Sequence, residues 1–394
     1  MILPRLTSVL IKLFFMTTTT YKCQLCENTD LTVVSGFNAF SRITSDSKPW
    51  PKGGNIGVCK TCGCVQKILD DSWHQDVSKI YNNYTIYHMA NGCEQQVFNG
   101  LKSEPRSKSI LSVIDKNLHF PSHGTLLDIG CGNGGMLRSA QEILPNWILA
   151  GSEFNEKHRA QIEMIKNVKS FFTCSLDKIL DTYDLVTIIH VLEHIINPRN
   201  ILNQISHILN KNGFLLIEVP NLLENPFDLL IVDHVVHFTL KLLTNLLRLS
   251  GFEISFSSET AIVKEITICA RLSMKVPCKQ SIQYQNNLLL VENHISWLNK
   301  LVNKSRDVAQ KTKPGIFGTS NAGTWLFQEL FGAVSFFIDE DPNRIGTKYM
   351  GIPVLAPTTA PRGSTIIFPF PTKIANRLAL KFKNDDFVLV IPDN

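Results

Sequence analysis

Leu126-Leu127-Asp128-Ile129-Gly130-Cys131-Gly132-Asn133-Gly134 decides how this chain reads. An apolar run ends in an acid, and glycine then falls at every second position. The run predicts a buried parallel strand. The glycines let the backbone turn sharply and approach a ligand with no Cβ in the way. The helix expected from about Met136 points its N-terminus at that ligand. Such a loop suits a nucleoside-like cofactor.

Three readings of the loop compete. A dinucleotide site calls for G-x-G-x-x-G after the strand. A plain glycine-rich turn needs no ligand. The pattern present, Asp128-x-Gly130-x-Gly132-x-Gly134, resembles motif I of the class I S-adenosylmethionine (SAM) dependent methyltransferases. That resemblance implies a Rossmann-like, doubly wound α/β sheet with SAM held across Asp128, Gly130, Gly132 and Gly134.

Downstream segments extend this reading. Trp147 to Glu153 predicts the next strand, ending in a carboxylate about twenty residues past the loop, where it can accept ribose hydroxyls. Glu153 is equally suited to opening a helix as a solvated acid. Asp177 follows a short strand; the resemblance places it beside the adenine, and alone it would serve as a helix N-cap. Tyr183 to Ile189 reads as a central strand. The segment after it, His190-Val191-Leu192-Glu193-His194-Ile195, resembles a loop of many of these enzymes, with His190 at the cofactor. Gly213 to Asn221 reads as another strand. Asp128, Glu153, Asp177, His190 and Asn221 thus fall at carboxyl ends of strands, where open α/β sheets bind ligands.

The chain has 394 residues, enough for two or three domains, and 44% hydrophobic content supplies their cores. A net charge of +5 is mild and dispersed, unlike the clustered basic face of a nucleic-acid binder. No apolar run is long enough to span a membrane. Residues 1–20 read as a disordered leader, or as a segment upstream of a start at Met16; Lys12 interrupts the apolar core that a signal peptide needs.

Ten cysteines include two tight pairs, Cys23-x-x-Cys26 and Cys59-x-x-Cys62, with 32 residues between them. Pairs so spaced clamp one tetrahedral zinc through four thiolates, a closed and therefore structural site. Cys64 is expected to pack rather than ligate. Thiolate zinc and scattered free thiols point to the cytoplasm.

Residues 313–394 repeat the strand, glycine turn, helix order: Gly318 to Gly323 is the turn, and Asp339 ends the next strand. Zinc domain (21–78), SAM domain with a helical lead-in (79–275), helical connector (276–312) and small Rossmann-like domain (313–394) together resemble the zinc-containing sugar C-methyltransferases. That resemblance implies methylation of a carbon in a nucleotide-linked keto-deoxysugar. The family carries Tyr-x-Glu-His where this chain has Ile231, Asp233 and His234, so His234 is the expected base, with Asp233 as its acid partner and His237 able to share the task. His194 joins the catalytic set. The developing enolate needs a donor, for which Tyr84 and Tyr87, in a tyrosine-rich segment, are the candidates.

The expected function is SAM-dependent methyl transfer to a small, nucleotide-activated sugar, without nucleic-acid or membrane partners. Nothing in the sequence sets an oligomeric state. The alternatives are an RNA methyltransferase using the zinc domain, an NAD-dependent oxidoreductase using the second glycine loop, and a non-catalytic SAM-binding scaffold.

Overall fold

The computed structural model describes residues 21–84, 94–99, 102–273, 284–382 and 387–392. The N-terminal part contains β1 (Leu31–Val33), β2 (Arg42–Ile43), β3 (Pro49–Trp50), β4 (Ile56–Cys59) and β5 (Val65–Lys67). β1, β4 and β5 pair antiparallel, and β2 with β3 forms a separate hairpin. Helix α1 (Asp71–Asn82) follows; the Asp70 side chain accepts from Trp73 N and so caps its first turn. The N-terminal sheet has a fourth strand from far along the chain, β13 (Val236–His237), which pairs with β5. The expected 21–78 unit is therefore completed by the middle of the chain.

The lead-in is a hairpin, β6 (Gln96–Asn99) with β7 (Lys102–Pro105), and then α2 (Arg106–Leu118); the hairpin was not anticipated. The central elements are β8 (Thr125–Ile129), α3 (Gly135–Ile143), β9 (Ile148–Ser152), α4 (Arg159–Glu163), β10 (Val168–Phe172), β11 (Tyr183–Ile189), α5 (Pro198–Ile208), β12 (Leu209–Pro220), α6 (Leu240–Leu249), β14 (Phe252–Ser258) and β15 (Glu265–Leu272). Their sheet runs β10-β9-β8-β11-β12-β15-β14. The first five strands are parallel, and the last two add antiparallel. β8 and β11 are fully buried at Leu126, Leu127, Leu185, Val186 and Ile188, as a parallel sheet with both faces covered requires. The strand order reverses between β8 and β11, which opens a crevice at their carboxyl ends.

The 28-residue α7 (Tyr284–Lys311) leads to β16 (Gly315–Phe317), α8 (Asn321–Glu329), β17 (Phe336–Ile338), β18 (Lys348–Tyr349), β19 (Ile352–Leu355), β20 (Thr365–Ile367), α9 (Thr372–Lys381) and β21 (Val388–Val390). The sheet order is β18-β19-β17-β16-β20-β21, parallel except for β18. Here a Cβ on Gly323 would lie 2.0 Å from the Gly318 carbonyl oxygen, so this glycine is required by close packing of α8 on its own loop.

One apolar cluster joins Phe37, Ile56 and Val58 of the N-terminal part, Leu229 and Leu230 of the middle, Leu298 of α7, and Trp325 and Phe337 of the C-terminal unit. The Phe227 ring lies 5.6 Å from Trp325 and 5.7 Å from Trp297, both edge-on. Among the described residues no helix is long and apolar enough to cross a membrane.

Candidate active site

β8 delivers Asp128 and Ile129 to the crevice, and the glycine loop turns there. Gly130, Gly132 and Gly134 have φ of +70°, +54° and +87°, values that L side chains rarely adopt. A Cβ on Gly130 would fall 2.4 Å from Val191 Cγ2. The loop is tied to β9: Gly130 N and Cys131 N donate to Ser152 O, and Gly132 N donates to Glu153 Oε2 at 2.8 Å. Glu153 Oε1 accepts from Phe154 N at 2.7 Å. Asp128 is buried, accepts from Thr187 Oγ1 at 2.6 Å, and is pushed up to about 7 by that burial. Asp177 is exposed on a one-turn helix, 176–178. Replacing Gly130 by Ala would cost roughly 1–2 kcal/mol for the left-handed backbone alone, and Val191 blocks the added methyl. We expect at least a tenfold weaker SAM affinity by titration calorimetry; unchanged affinity would contradict the role of this loop.

His190 has φ +53° and sits in a buried ionic cluster. Arg106 Nη1 is 2.8 Å from His190 Nε2, and His190 Nδ1 is 3.2 Å from Glu193 Oε1. Arg106 Nε lies 3.6 Å from Glu218 Oε1, whose other oxygen accepts from Thr267 Oγ1. Glu265 adjoins the cluster, and burial, with Glu218 nearby, lifts it to about 7. The expected cofactor residue is thus also the hub of a network including Arg106, Glu218 and Glu265, none of which the sequence singled out. The one signal was Glu218, an acid inside an otherwise apolar strand.

Two further histidines meet nearby. His194, on a one-turn helix after β11, and His234, just before β13, lie edge-to-face with ring centroids 4.6 Å apart. The expected Asp233–His234 pair does not form. Adjacent side chains on a non-helical backbone diverge, and His234 Nδ1 donates instead to Asp228 Oδ1 at 2.6 Å. The other Asp228 oxygen accepts from His237 Nδ1 at 2.7 Å. Asp233 turns the other way and accepts from Ser45 N at 2.9 Å and Ser45 Oγ at 2.5 Å. His194 Nδ1 lies 2.9 Å from the Asp233 carbonyl oxygen and 3.4 Å from its carboxylate. A carbonyl only accepts, so Nδ1 carries the proton and the His194 lone pair is on Nε2. Tyr81 OH is 3.4 Å from His194 Nδ1. Tyr84 stands behind Tyr81, ring centroids 6.1 Å apart, and Tyr87 lies outside the described residues.

The two imidazoles are driven apart electrostatically. Burial and the neighbouring His234 hold His194 below the usual histidine value. Burial works the same way on His234, but the Asp228 hydrogen bond and charge outweigh it and hold His234 above that value. His237 has the same acid partner yet is depressed to about 4, because it is sealed in the sheet. Lys67 is also buried, held to about 7 by that burial; its ammonium meets the Leu229 carbonyl and sits 4.6 Å over the Phe37 ring.

Cys23, Cys26, Cys59 and Cys62 converge, with all four sulfurs within 4.8 Å of one another. Cys23 Sγ is 3.3 Å from Cys62 Sγ, and Cys26 Sγ 3.6 Å from Cys59 Sγ. A zinc tetrahedron with bonds of about 2.3 Å has edges of about 3.8 Å, so these thiols fit the ion. Cys64 is buried and directed at Val65 O and Gln66. In the C-terminal unit, Asp339 Oδ2 accepts from Thr319 N and Oγ1 within the second glycine loop, beside Arg344.

Residues 104–255 match the model of a methyltransferase domain family. A ubiquinone biosynthesis O-methyltransferase of Glaesserella parasuis serovar 5 (strain SH0165) is 25% identical over 189 residues, 45% of this chain and 74% of that protein. Among solved structures, a SAM-dependent methyltransferase from Clostridium acetobutylicum ATCC 824 aligns with a TM-score of 0.36 at 10% identity, covering 52% of this chain and 98% of its own. The 1,6-didemethyltoxoflavin-N1-methyltransferase of Burkholderia thailandensis aligns with a TM-score of 0.37 at 15% identity, covering 53% and 96%.

Proposed function

We propose that this chain, a SAM-dependent methyltransferase, methylates carbon beside the ketone of a nucleotide-linked keto-deoxysugar. The observation that carries the proposal is the His194–His234 pair, whose different partners divide acid from base. Asp128, Gly130, Gly132, Gly134 and Glu153 would hold SAM, with Asp177 and His190 at its margin. When bound it supplies an electrophilic methyl that passes to the acceptor carbon, the S–CH3 pair remaining on sulfur.

The sequence assigned the base to His234, and the geometry favours a division of labour. His194 Nδ1–H is held by a neutral carbonyl, so its Nε2 is unprotonated near neutral pH and can take the proton beside the ketone. His234 is backed by the Asp228 carboxylate, so its imidazolium is stabilised and can donate from Nε2 to the oxygen that becomes negative. Environments that drive two titratable groups apart mark such an acid–base pair. The donor role first given to Tyr84 and Tyr87 passes to His234. Cys23, Cys26, Cys59 and Cys62 would hold a structural zinc that ties β4 to the N-terminal knuckle.

An oxygen acceptor is the second reading, favoured by the O-methyltransferase relative; His194 would deprotonate a hydroxyl equally well. Solvent exchange separates the two. With the demethylated cofactor product bound, the enzyme should exchange the hydrogen beside the ketone of such a sugar nucleotide in D2O, followed by NMR. Absence of exchange, with methyl transfer to a hydroxyl, would replace the carbon reading with the oxygen one.

A further inference from the structure

The hairpin β2–β3 carries its tip, Thr44 to Lys48, into the junction of all three parts of the chain. Ile43 O accepts from Val232 N at 2.8 Å, which fixes the hairpin beside the 231–235 segment. On the far side, Ser47 Oγ donates to Asn321 Oδ1 at 2.5 Å, and Tyr349 OH donates to Ser47 O at 2.8 Å. Lys48 Nζ donates to Asn83 O at the end of α1. Between these anchors Ser45 engages both oxygens of Asp233, one through its backbone N–H and one through its hydroxyl.

Asp233 is also the residue that holds His194, through its main-chain carbonyl. Its carboxylate stands 3.4 Å from the same Nδ1, beyond a good hydrogen bond. Ser45 and His194 therefore compete for one carboxylate. Released from Ser45, the Asp233 side chain could close on Nδ1–H and stabilise the imidazolium, as Asp228 does for His234. His194 would then be charged in the pH range where it must accept a proton. The charged and titratable groups facing His194 are Glu193 on its own turn, Asp233 and His234 on the 231–235 segment, and Tyr81 on α1.

We propose that Ser45 is a positioning residue that keeps the Asp233 carboxylate off His194 and thereby preserves His194 as a neutral base. The inference rests on the proposed role of His194, and makes the N-terminal part of the chain a contributor to the active site.

The test uses the full-length, zinc-loaded protein with 15N-labelled histidine. The chain has eleven histidines, and the His194 signals are identified by their loss in His194→Gln. The wild type should titrate below the ordinary histidine value, with the proton of the neutral ring on Nδ1. Ser45→Ala should move the His194 midpoint up by roughly half to one unit, with histidines remote from the His194–His234 pair unmoved. Ser45→Thr, which restores a hydroxyl, should return it. Asp233→Asn should abolish the sensitivity, so that adding Ser45→Ala changes nothing further. A His194 midpoint unmoved in folded Ser45→Ala would overturn the proposal. These readouts need no acceptor, so failure to methylate a sugar nucleotide would count against the proposed function alone.

Discussion

Replacing His194 by Gln should lower kcat by about two to four orders of magnitude, the range for loss of a positioned acid or base, with SAM affinity changed less than about threefold. His234→Gln should cause a comparable loss through the missing donor to the oxyanion. What separates the two is pH. His194 must be neutral, so activity falls as pH drops through its lowered midpoint. His234 must be charged, so activity falls as pH rises through its raised midpoint. The wild-type kcat profile should be a bell whose limbs flank the ordinary histidine value. Asp228→Asn removes the carboxylate behind His234 and should bring the alkaline limb down; with less charge on His234 beside it, His194 should rise, so the two limbs close on each other. A profile with one limb, or full turnover in His194→Gln, would contradict the assignment.

The second large effect concerns the cysteine cluster. Cys59 ends β4, and the knuckle after it leads directly into β5. β5 carries Lys67 and pairs with β13, which carries His237, the second ligand of Asp228. Loss of a zinc held by these four cysteines would therefore loosen both the frame of His234 and the hairpin that presents Ser45. Structural zinc contributes about 10–16 kcal/mol in peptide modules. Cys59→Ser, or stripping with a strong chelator, should lower the unfolding temperature by roughly 10 °C or more. It should also cut turnover at least a hundredfold, while bound SAM still protects β8, β9 and β11 in hydrogen exchange. Full turnover in a metal-free protein would contradict a zinc that frames the site.

The parts of this architecture legible in the sequence are those written locally. The glycine loop, the apolar parallel strands and the acids at their ends each lie within one short window, and the doubly wound sheet was what the family resemblance implied. The cysteine pairs were equally readable, and their sulfurs converge. The contacts that tune the site were not legible, because they join distant positions through irregular backbone. Asp228 reaches His234 and His237 across six and nine residues of turn, whereas the neighbouring Asp233 was the natural guess from sequence. Ser45 lies 188 residues from Asp233. Arg106, the first residue of α2, meets His190 just past β11 and Glu218 in β12, positions 84 and 112 residues further along the chain. The strand borrowed by the N-terminal sheet, two residues long, is too short to carry a period.

The central claim is methyl transfer from SAM to carbon, and it is tested most directly by the fate of a labelled methyl. The protein is incubated with 13C-methyl SAM and a nucleotide-linked keto-deoxysugar, and the product is examined by carbon–proton correlation NMR. The account predicts a gain of one methylene in mass and a 13C-methyl in the region of methyls on carbon, coupled to the ring carbon beside the ketone. A methyl in the methoxy region would contradict it.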